Sequence, residues 1–360
     1  MATQKPLVLI NGQRQQIPAT DTVDPGNLGT GTRDGSKFLR DDGTWAAPSG
    51  GGGTPGGSTG QVQYNNAGAF DGASGVKVTA AEDLNLATEY TTTSPSAPSA
   101  GAVPFARKRT GRTFLASQGI VGSAEELQAH LAFKRVQLVA SQAGASGFSI
   151  IGQASLSTVG TMSTPGYAST NFLTQLRRTI MFSASTAGST ASVRQGNTPN
   201  VNWRGNAAGL GGFYYVHRFT IEGTQTGYIF YAGLRASGAA ITATTAASSL
   251  TDIIGVGIDP GDTNLFIMHN DNAGTATRID TSIAVSTTTA YALRIYCEPN
   301  GTTIYISVEN LSSGVVFETS ITTNIPANTT FLSWIQHISN NATAAAVTCG
   351  FLDLYIESNN

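Results

Sequence analysis

From about residue 147 to the C-terminus the chain is a succession of short apolar runs, and this succession most limits what it can fold into. FSIIGQASL, RRTIMFSAST, GGFYYVHRFTIEG, GYIFYAGLRA, DIIGVGID, NLFIMHND, ATRIDTSI, AYALRIYCEP, TTIYISVENL, GVVFETSITT, TFLSWIQHIS and VTCGFLDLYIES follow at intervals of roughly 10–15 residues. Turn formers separate them: Asp259-Pro260-Gly261-Asp262, Asn272-Ala273-Gly274, Pro299-Asn300-Gly301 and Ser313-Gly314. In ALRIYCE and TIYISVE apolar and polar residues alternate, so one strand face is buried and the other wet. The expected fold is mainly β, with a jelly-roll or lectin-like β-sandwich over residues 147–360. No repeat of fixed period supports a propeller or a solenoid.

The front of the chain is different. Residues 1–48 read as short extended pieces with spaced apolar anchors, Leu7, Leu9, Ile17, Phe38, Leu39 and Trp45, and a turn at Asn11-Gly12. Tyr64 and Phe70 continue the series. So few anchors bury almost no core, and such a segment is either disordered or held by other chains. Residues 49–60 form a Gly/Ser/Pro spacer without the strict period of collagen. Residues 49–118 are expected to make a linker and thin shaft, ending in VPFARKRTGRTFLAS, whose Arg107, Lys108, Arg109 and Arg112 read as a solvated basic loop. For 119–146 the expectation is a helix and neck. Ser123 and Glu126 form a capping box, and Leu127, Leu131 and Leu138 share a stripe as far as Ala140.

Only 12% of the 360 residues are charged and the net charge is −2, so no basic stripe invites nucleic acid. No apolar run reaches the roughly 18 residues of a membrane span. MATQKP lacks the apolar stretch of a signal peptide, which leads to the expectation of folding in the cytoplasm without export. Cys297 and Cys349 read as two buried thiols, with a disulfide left open because spacing does not give distance.

Motifs that carry chemistry are sparse. Asp259, Asp262 and Asp271 are the alternative for a hard cation, set against a simple role as turn formers, and the spacing of known calcium loops is missing. His130, His217, His269 and His337 are scattered, with no ligand spacing. Nucleophile-elbow, phosphate-loop and dinucleotide patterns are missing, so no catalytic residue and no cofactor are assigned. Glu222, Glu298, Glu309, Glu318, Glu357, Asp252 and Asp353 are the carboxylates from which a glycosidase pair would have to come.

Three blocks carry a family likeness. The leader combines PLVLINGQRQQIP, KFLRDDGTWAAP, a Gly-rich run and GQVQYNNAGAFDGASGVKV; farther on come IIGVGIDPGDTNLFIMHNDNAGTATRIDTSI and the final LRIYCEPNGTTIYISVENL to LYIES. Over residues 1–78 and 253–358 the chain resembles tail-fibre and fibre-like virion structural proteins of tailed bacteriophages. The resemblance implies a virion location, a homotrimeric fibre and recognition of a host-surface molecule. It makes 1–48 a virion-attachment segment that meets another virion protein, with Leu7, Leu9, Ile17, Phe38, Leu39 and Trp45 as the anchoring residues. It makes 147–360 the receptor-binding or knob domain, with a bacterial surface glycan or lipopolysaccharide as partner. A purely structural head or collar fibre and a glycan-cleaving tailspike are the alternatives. Sugars bind on aromatic faces flanked by Asn, Asp and Arg. The candidates are therefore Trp203 and Arg204 in a Gly/Asn-rich loop, then Tyr167, Asn171, Asn270 and Asp271.

Overall fold

The computed structural model describes residues 7–10, 13–16, 38–39, 44–46, 57–67, 69–81, 83–91, 95–119, 124–126, 135–142, 147–152, 155–196 and 202–359. They fall into two compact units, Met1–Thr88 and Glu89–Asn360.

In the first unit, β1 (Leu7–Ile10) pairs with β2 (Gln13–Gln16), setting Ile10 opposite Gln13 on either side of Asn11-Gly12. β3 (Phe38–Leu39) pairs with β4 (Trp45–Ala46). β5 (Gln61–Asn66), β6 (Ala69–Val78) and β7 (Leu84–Leu86) make a three-stranded meander. Four of its apolar side chains stay in water: Val62, Tyr64, Val78 and Leu84 are exposed. Of the anchors, Leu7, Leu9, Phe38, Leu39 and Trp45 lie on these short ladders, while Ile17 is outside the described residues.

The second unit opens with β8 (Glu89–Tyr90), β9 (Ala102–Arg109), β10 (Arg112–Gly119) and β11 (Ala124–Glu126), a small sheet centred on the β9–β10 hairpin. The basic cluster is thus the hairpin end, and Arg107 and Arg109 are buried. The expected boundary at residue 118 moves forward, since the hairpin belongs to the unit that begins at Glu89. The expected helix is also corrected. Ala124–Glu126 and β12 (Arg135–Ser141) are strands, and residues 127–134, with Leu127 and Leu131, lie outside the described residues. In RVQLVAS the alternation of Gln137, Val139 and Ser141, all buried, outweighs the capping signal, because pairing along a central strand decides β-structure more than local propensity does.

Beyond it come β13 (Phe148–Ile151), β14 (Leu156–Val159), β15 (Thr161–Ser163), β16 (Thr179–Phe182), β17 (Thr190–Gln195), β18 (Phe213–Gly223), β19 (Ile229–Arg235), β20 (Ile253–Ile258) and β21 (Asn264–Asn270). β22 (Thr277–Ala284), β23 (Ala290–Cys297), β24 (Ile304–Asn310), β25 (Val316–Ile321), β26 (Ser333–Ser339) and β27 (Thr348–Ser358) complete the chain. The strands expected from periodicity are present, and β14, β15 and β17 are additions. They form two antiparallel sheets. The first runs β13-β12-β27-β18-β23-β24-β25, with β16 and then β15 sharing the β12 side of β27. The second runs β14-β17-β26-β19-β20-β21-β22.

The chain is mainly β and this unit is a sandwich. Between the sheets lies one continuous core, to which β18 gives Phe213, Tyr215, Phe219 and Ile221, β19 gives Phe230, Ala232 and Leu234, β26 gives Trp334 and Ile338, and β27 gives Phe351, Leu354 and Ile356. Burying each such side chain contributes about 1.5–3 kcal/mol. Cys297 and Cys349 are buried free thiols. Burial raises both, to about 11 and about 12, so neither is a reactive thiolate at neutral pH. Among the described residues no helix is long and apolar enough to cross a membrane.

Candidate functional site

Four of the six binding candidates meet at one end of the sandwich, around the β25–β26 loop. Asn202 exchanges backbone hydrogen bonds with Leu332, and Trp203 stacks on Phe331 with ring centroids 4.9 Å apart and planes at 22°. Trp203 is half-buried and Phe331 is 47% exposed, so the pair presents aromatic surface to solvent. The following loop is held shut by Gly212 N donating to Trp203 O at 2.9 Å. Gly205 and Gly211 approach so closely, both at positive φ, that neither leaves room for a side chain. Beside it, the β23–β24 turn borders an open cleft of about 240 Å³ lined by residues 298–303 and Tyr305.

Arg204 turns inward. Its Nη1 donates to Pro326 O at 2.8 Å and its Nε and Nη2 to Gly301 O at 3.1 and 2.8 Å. Its fork therefore ties three loops together. Asn270 is fully buried, its Nδ2 donating to Leu250 O at 2.9 Å. Asp271 accepts from Ala273 N at 3.0 Å and donates its own N to Asn324 Oδ1 at 3.1 Å. These three residues build the end loops, and the aromatic pair is what they display.

Tyr167 and Asn171 lie elsewhere. Asn171 Oδ1 accepts from Thr174 N at 3.0 Å, and Leu173 N donates to Thr288 O, just before β23. Ala290 at the start of β23 faces Thr220, whereas the Trp203 loop leads into Phe213. The two groups are thus separated by roughly 23 Å along β18. Tyr167 is 62% exposed and accepts from Arg177 Nε at 2.8 Å.

The acidic residues of the cation alternative, and three of the candidate carboxylates, are held by neighbouring groups. Asp262 Oδ2 accepts from Asp259 N at 2.8 Å and pairs with Arg278, which also faces Asp259. Among the described residues no cluster of three metal-ligating side chains occurs. Glu222 is clasped by Arg178 through two hydrogen bonds of 2.7 and 3.1 Å, Glu309 by Arg294 at 2.7 Å, and Asp353 by Arg218 at 3.3 Å.

A further cluster escaped the sequence reading. Side chains of β17, β26 and β19 alternate, sending Ala191, Val193, Trp334, Ile338, Phe230 and Leu234 into the core. The intervening positions, Ser192, Arg194, His337, Tyr231 and Arg235, therefore share the outer face of the second sheet. Ser192 and Tyr231 flank His337 directly in register. The segment 236–250 covers them. Ile241, Ala247 and Leu250 pack with Ile229, Tyr231 and Ile335, and Ser339 Oγ donates to Ala243 O at 2.6 Å. At its tip Arg194 Nε donates to Gly238 O at 3.1 Å and Arg235 Nη1 to Ala239 O at 3.2 Å. Beneath, His337 is 1% exposed and both ring nitrogens lack a protein partner, as do Ser192 Oγ, Arg194 Nη1 and Arg235 Nε. Burial, reinforced by the two guanidinium charges, drives the His337 pKa down to about 3. The available signal was the Arg of ASVRQ and the His of SWIQHIS, each on the non-core face of its strand.

No protein-family model and no curated protein matches the chain. Among solved structures, arcelin-5, a lectin-like defence protein from Phaseolus vulgaris, aligns with a TM-score of 0.40 at 9% identity, over 62% of this chain and 97% of its own. Peanut lectin aligns at 0.39 and 11%, over 62% and 96%. An alginate lyase from Klebsiella pneumoniae aligns at 0.35 and 9%, over 62% and 94%. Likeness at this level carries neither residue correspondence nor function.

Proposed function

We propose that this chain is a non-enzymatic fibre protein of a tailed bacteriophage. In this reading it is a homotrimer in the virion, held by its N-terminal segment to another virion protein. Its C-terminal sandwich adheres to a bacterial surface glycan. The observation that carries the reading is where the family-like phrases fall. The block 253–358 spans β20 to β27, which supply strands to both sheets and much of their shared core. The likeness thus lies on the body of the folded domain. The leader supports the same reading, because its short ladders keep Val62, Tyr64 and Leu84 in water, as expected of a segment completed by other chains. For the glycan, the Trp203–Phe331 pair offers a stacking surface framed by rigid loops. Three copies on one axis would multiply a weak affinity by about 10²–10⁴.

The test is adsorption of fluorescently labelled full-length protein to cells of the bacterium its virus infects, with lipopolysaccharide as competitor. Saturable binding that Trp203→Ala weakens is expected. No binding at micromolar protein removes the adhesin role and leaves a structural fibre. Sedimentation as a single subunit removes the trimer.

A further inference from the structure

We infer that the outer face of the second sheet holds an oxyanion site for the carboxylate of an acidic sugar, with the segment 236–250 as its displaceable cover. Two guanidiniums, Arg194 and Arg235, stand on this face, and among the described residues neither makes an ion pair. Buried or half-buried cations are normally matched by an anion. Here each donates to one of two consecutive backbone carbonyls, Gly238 O and Ala239 O, at the exposed tip of the cover. Two carbonyl oxygens side by side are a poor copy of a carboxylate, which carries full charge and meets Arg forks in two-point fashion. The loop also leaves donors on the same two guanidiniums unsatisfied, Arg194 Nη1 and Arg235 Nε, and on this face the Ser192 hydroxyl as well.

His337 is the second, independent sign. Buried imidazoles in native cores are hydrogen-bonded, and an unpartnered buried polar group is costly to the fold. His337 has two such nitrogens at the centre of this face, flanked in register by Ser192 and Tyr231. Nothing else in the second sheet uses it. The glycine surface beside His337 is taken up by Tyr231: a methyl group on Gly233 or Gly255 would meet its buried hydroxyl at 3.0 or 2.9 Å. That hydroxyl donates to Leu234 O at 2.7 Å. The choice of a glycan as carrier rests on the adhesin reading above; the oxyanion site does not.

The experiment is calorimetric titration of the full chain with galacturonate and glucuronate trisaccharides, their methyl esters and inorganic phosphate. At least one acid trisaccharide is expected to bind, its methyl ester at least about tenfold more weakly. Arg194→Gln and Arg194→Lys should each lose about tenfold while their thermal midpoints stay near that of the parent. The conservative Lys variant keeps the charge and removes only the fork. The inference fails if no acid trisaccharide binds, if esters bind as well as acids, if the Arg194 variants bind as the parent does, or if phosphate binds as tightly as the sugars. Cell adsorption without any preference for acid sugars would sink this site and leave the adhesin reading standing.

Discussion

The two outer faces of the sandwich are both covered, but in different ways. On the first sheet the β9–β10 hairpin lies over an aromatic surface. Phe114 packs with Tyr214 and Tyr296, with Tyr305 and Tyr355 at the margin. Its polar groups meet matching ones: Thr110 Oγ1 and Ser307 Oγ are 2.7 Å apart, and Arg112 Nη1 donates to Tyr296 OH at 2.7 Å while its guanidinium sits 5.1 Å from that ring centre. Arg109 Nε and Nη1 lack a protein partner. On the second sheet the cover is a loop whose apolar residues dock at one side, whose tip meets two arginines through backbone carbonyls alone, and beneath which His337 is left unpartnered. The first cover completes a core. The second conceals groups that a charged ligand would satisfy better, and its tip, held by two exposed hydrogen bonds, is the part placed to open.

Four tests separate the two. The largest effect belongs to Phe114→Ala, which removes a 2%-exposed ring beneath the hairpin and should lower stability by about 3–5 kcal/mol in urea denaturation. A loss under about 1 kcal/mol would mean that the hairpin is as loosely held as the loop.

Acid should act next. His217 lies between the sheets, 3.0 Å from Tyr215 OH, and burial lowers it to about 3, as it does His337. A depressed histidine leaves the unfolded chain with more bound protons between pH 6.5 and 3, so stability falls as pH drops through that window. At pH 5 the loss is roughly 2 kcal/mol per histidine if both protonate only on unfolding. Asp353, raised by burial, works in the opposite sense. The comparison sharpens here: His217 can protonate only when the sheets part, whereas His337, facing Arg194, Arg235 and Tyr231, can do so when the loop lifts. His337→Gln should remove the acid-induced loosening of 236–250 measured by hydrogen exchange, and persistence of that loosening would count against the assignment.

Gly111→Ala comes third. The residue sits at φ 71° and a methyl group there would lie within 2.7 Å of the Tyr305 ring. A cost of about 1–3 kcal/mol is expected from strain and a shifted hairpin tip. The same change at Gly238, where the space beside the Cα is open, should alter the thermal midpoint little. The smallest effect is Arg235→Gln, with a stability change within about 1 kcal/mol, since it breaks one exposed bond to Ala239 O. A large loss would make the arginine a structural tie.

These contrasts mirror how much of the molecule was legible in its sequence. The strands from β18 onward were readable because aromatic and β-branched residues alternate between clear turns, as in Phe213–Gly223 and Ile304–Asn310. The hairpin was not, because ARKRTGR reads as solvated charge until the Tyr296 and Tyr305 that receive it are known. The helix expected over 123–140 rested on a real capping pattern, but Arg135–Ser141 gains its ladder from β27, far along the chain. Trp203 was recognisable as a loop aromatic. Arg204 and Asn270 looked like ligand groups and instead hold carbonyls of Pro326 and Leu250. Ser192, Tyr231 and His337 come from three distant strands, and only the sheet register sets them side by side.

The most direct test compares the two buried histidines in the folded protein. Diethyl pyrocarbonate modifies neutral imidazole, and peptide mass spectrometry reads each site separately. If the second sheet wears an opening cover, His337 should react at least about tenfold faster than His217 under native conditions, and acid trisaccharide should slow it. Equal protection of both would show the loop to be as fixed as the core and would contradict the account.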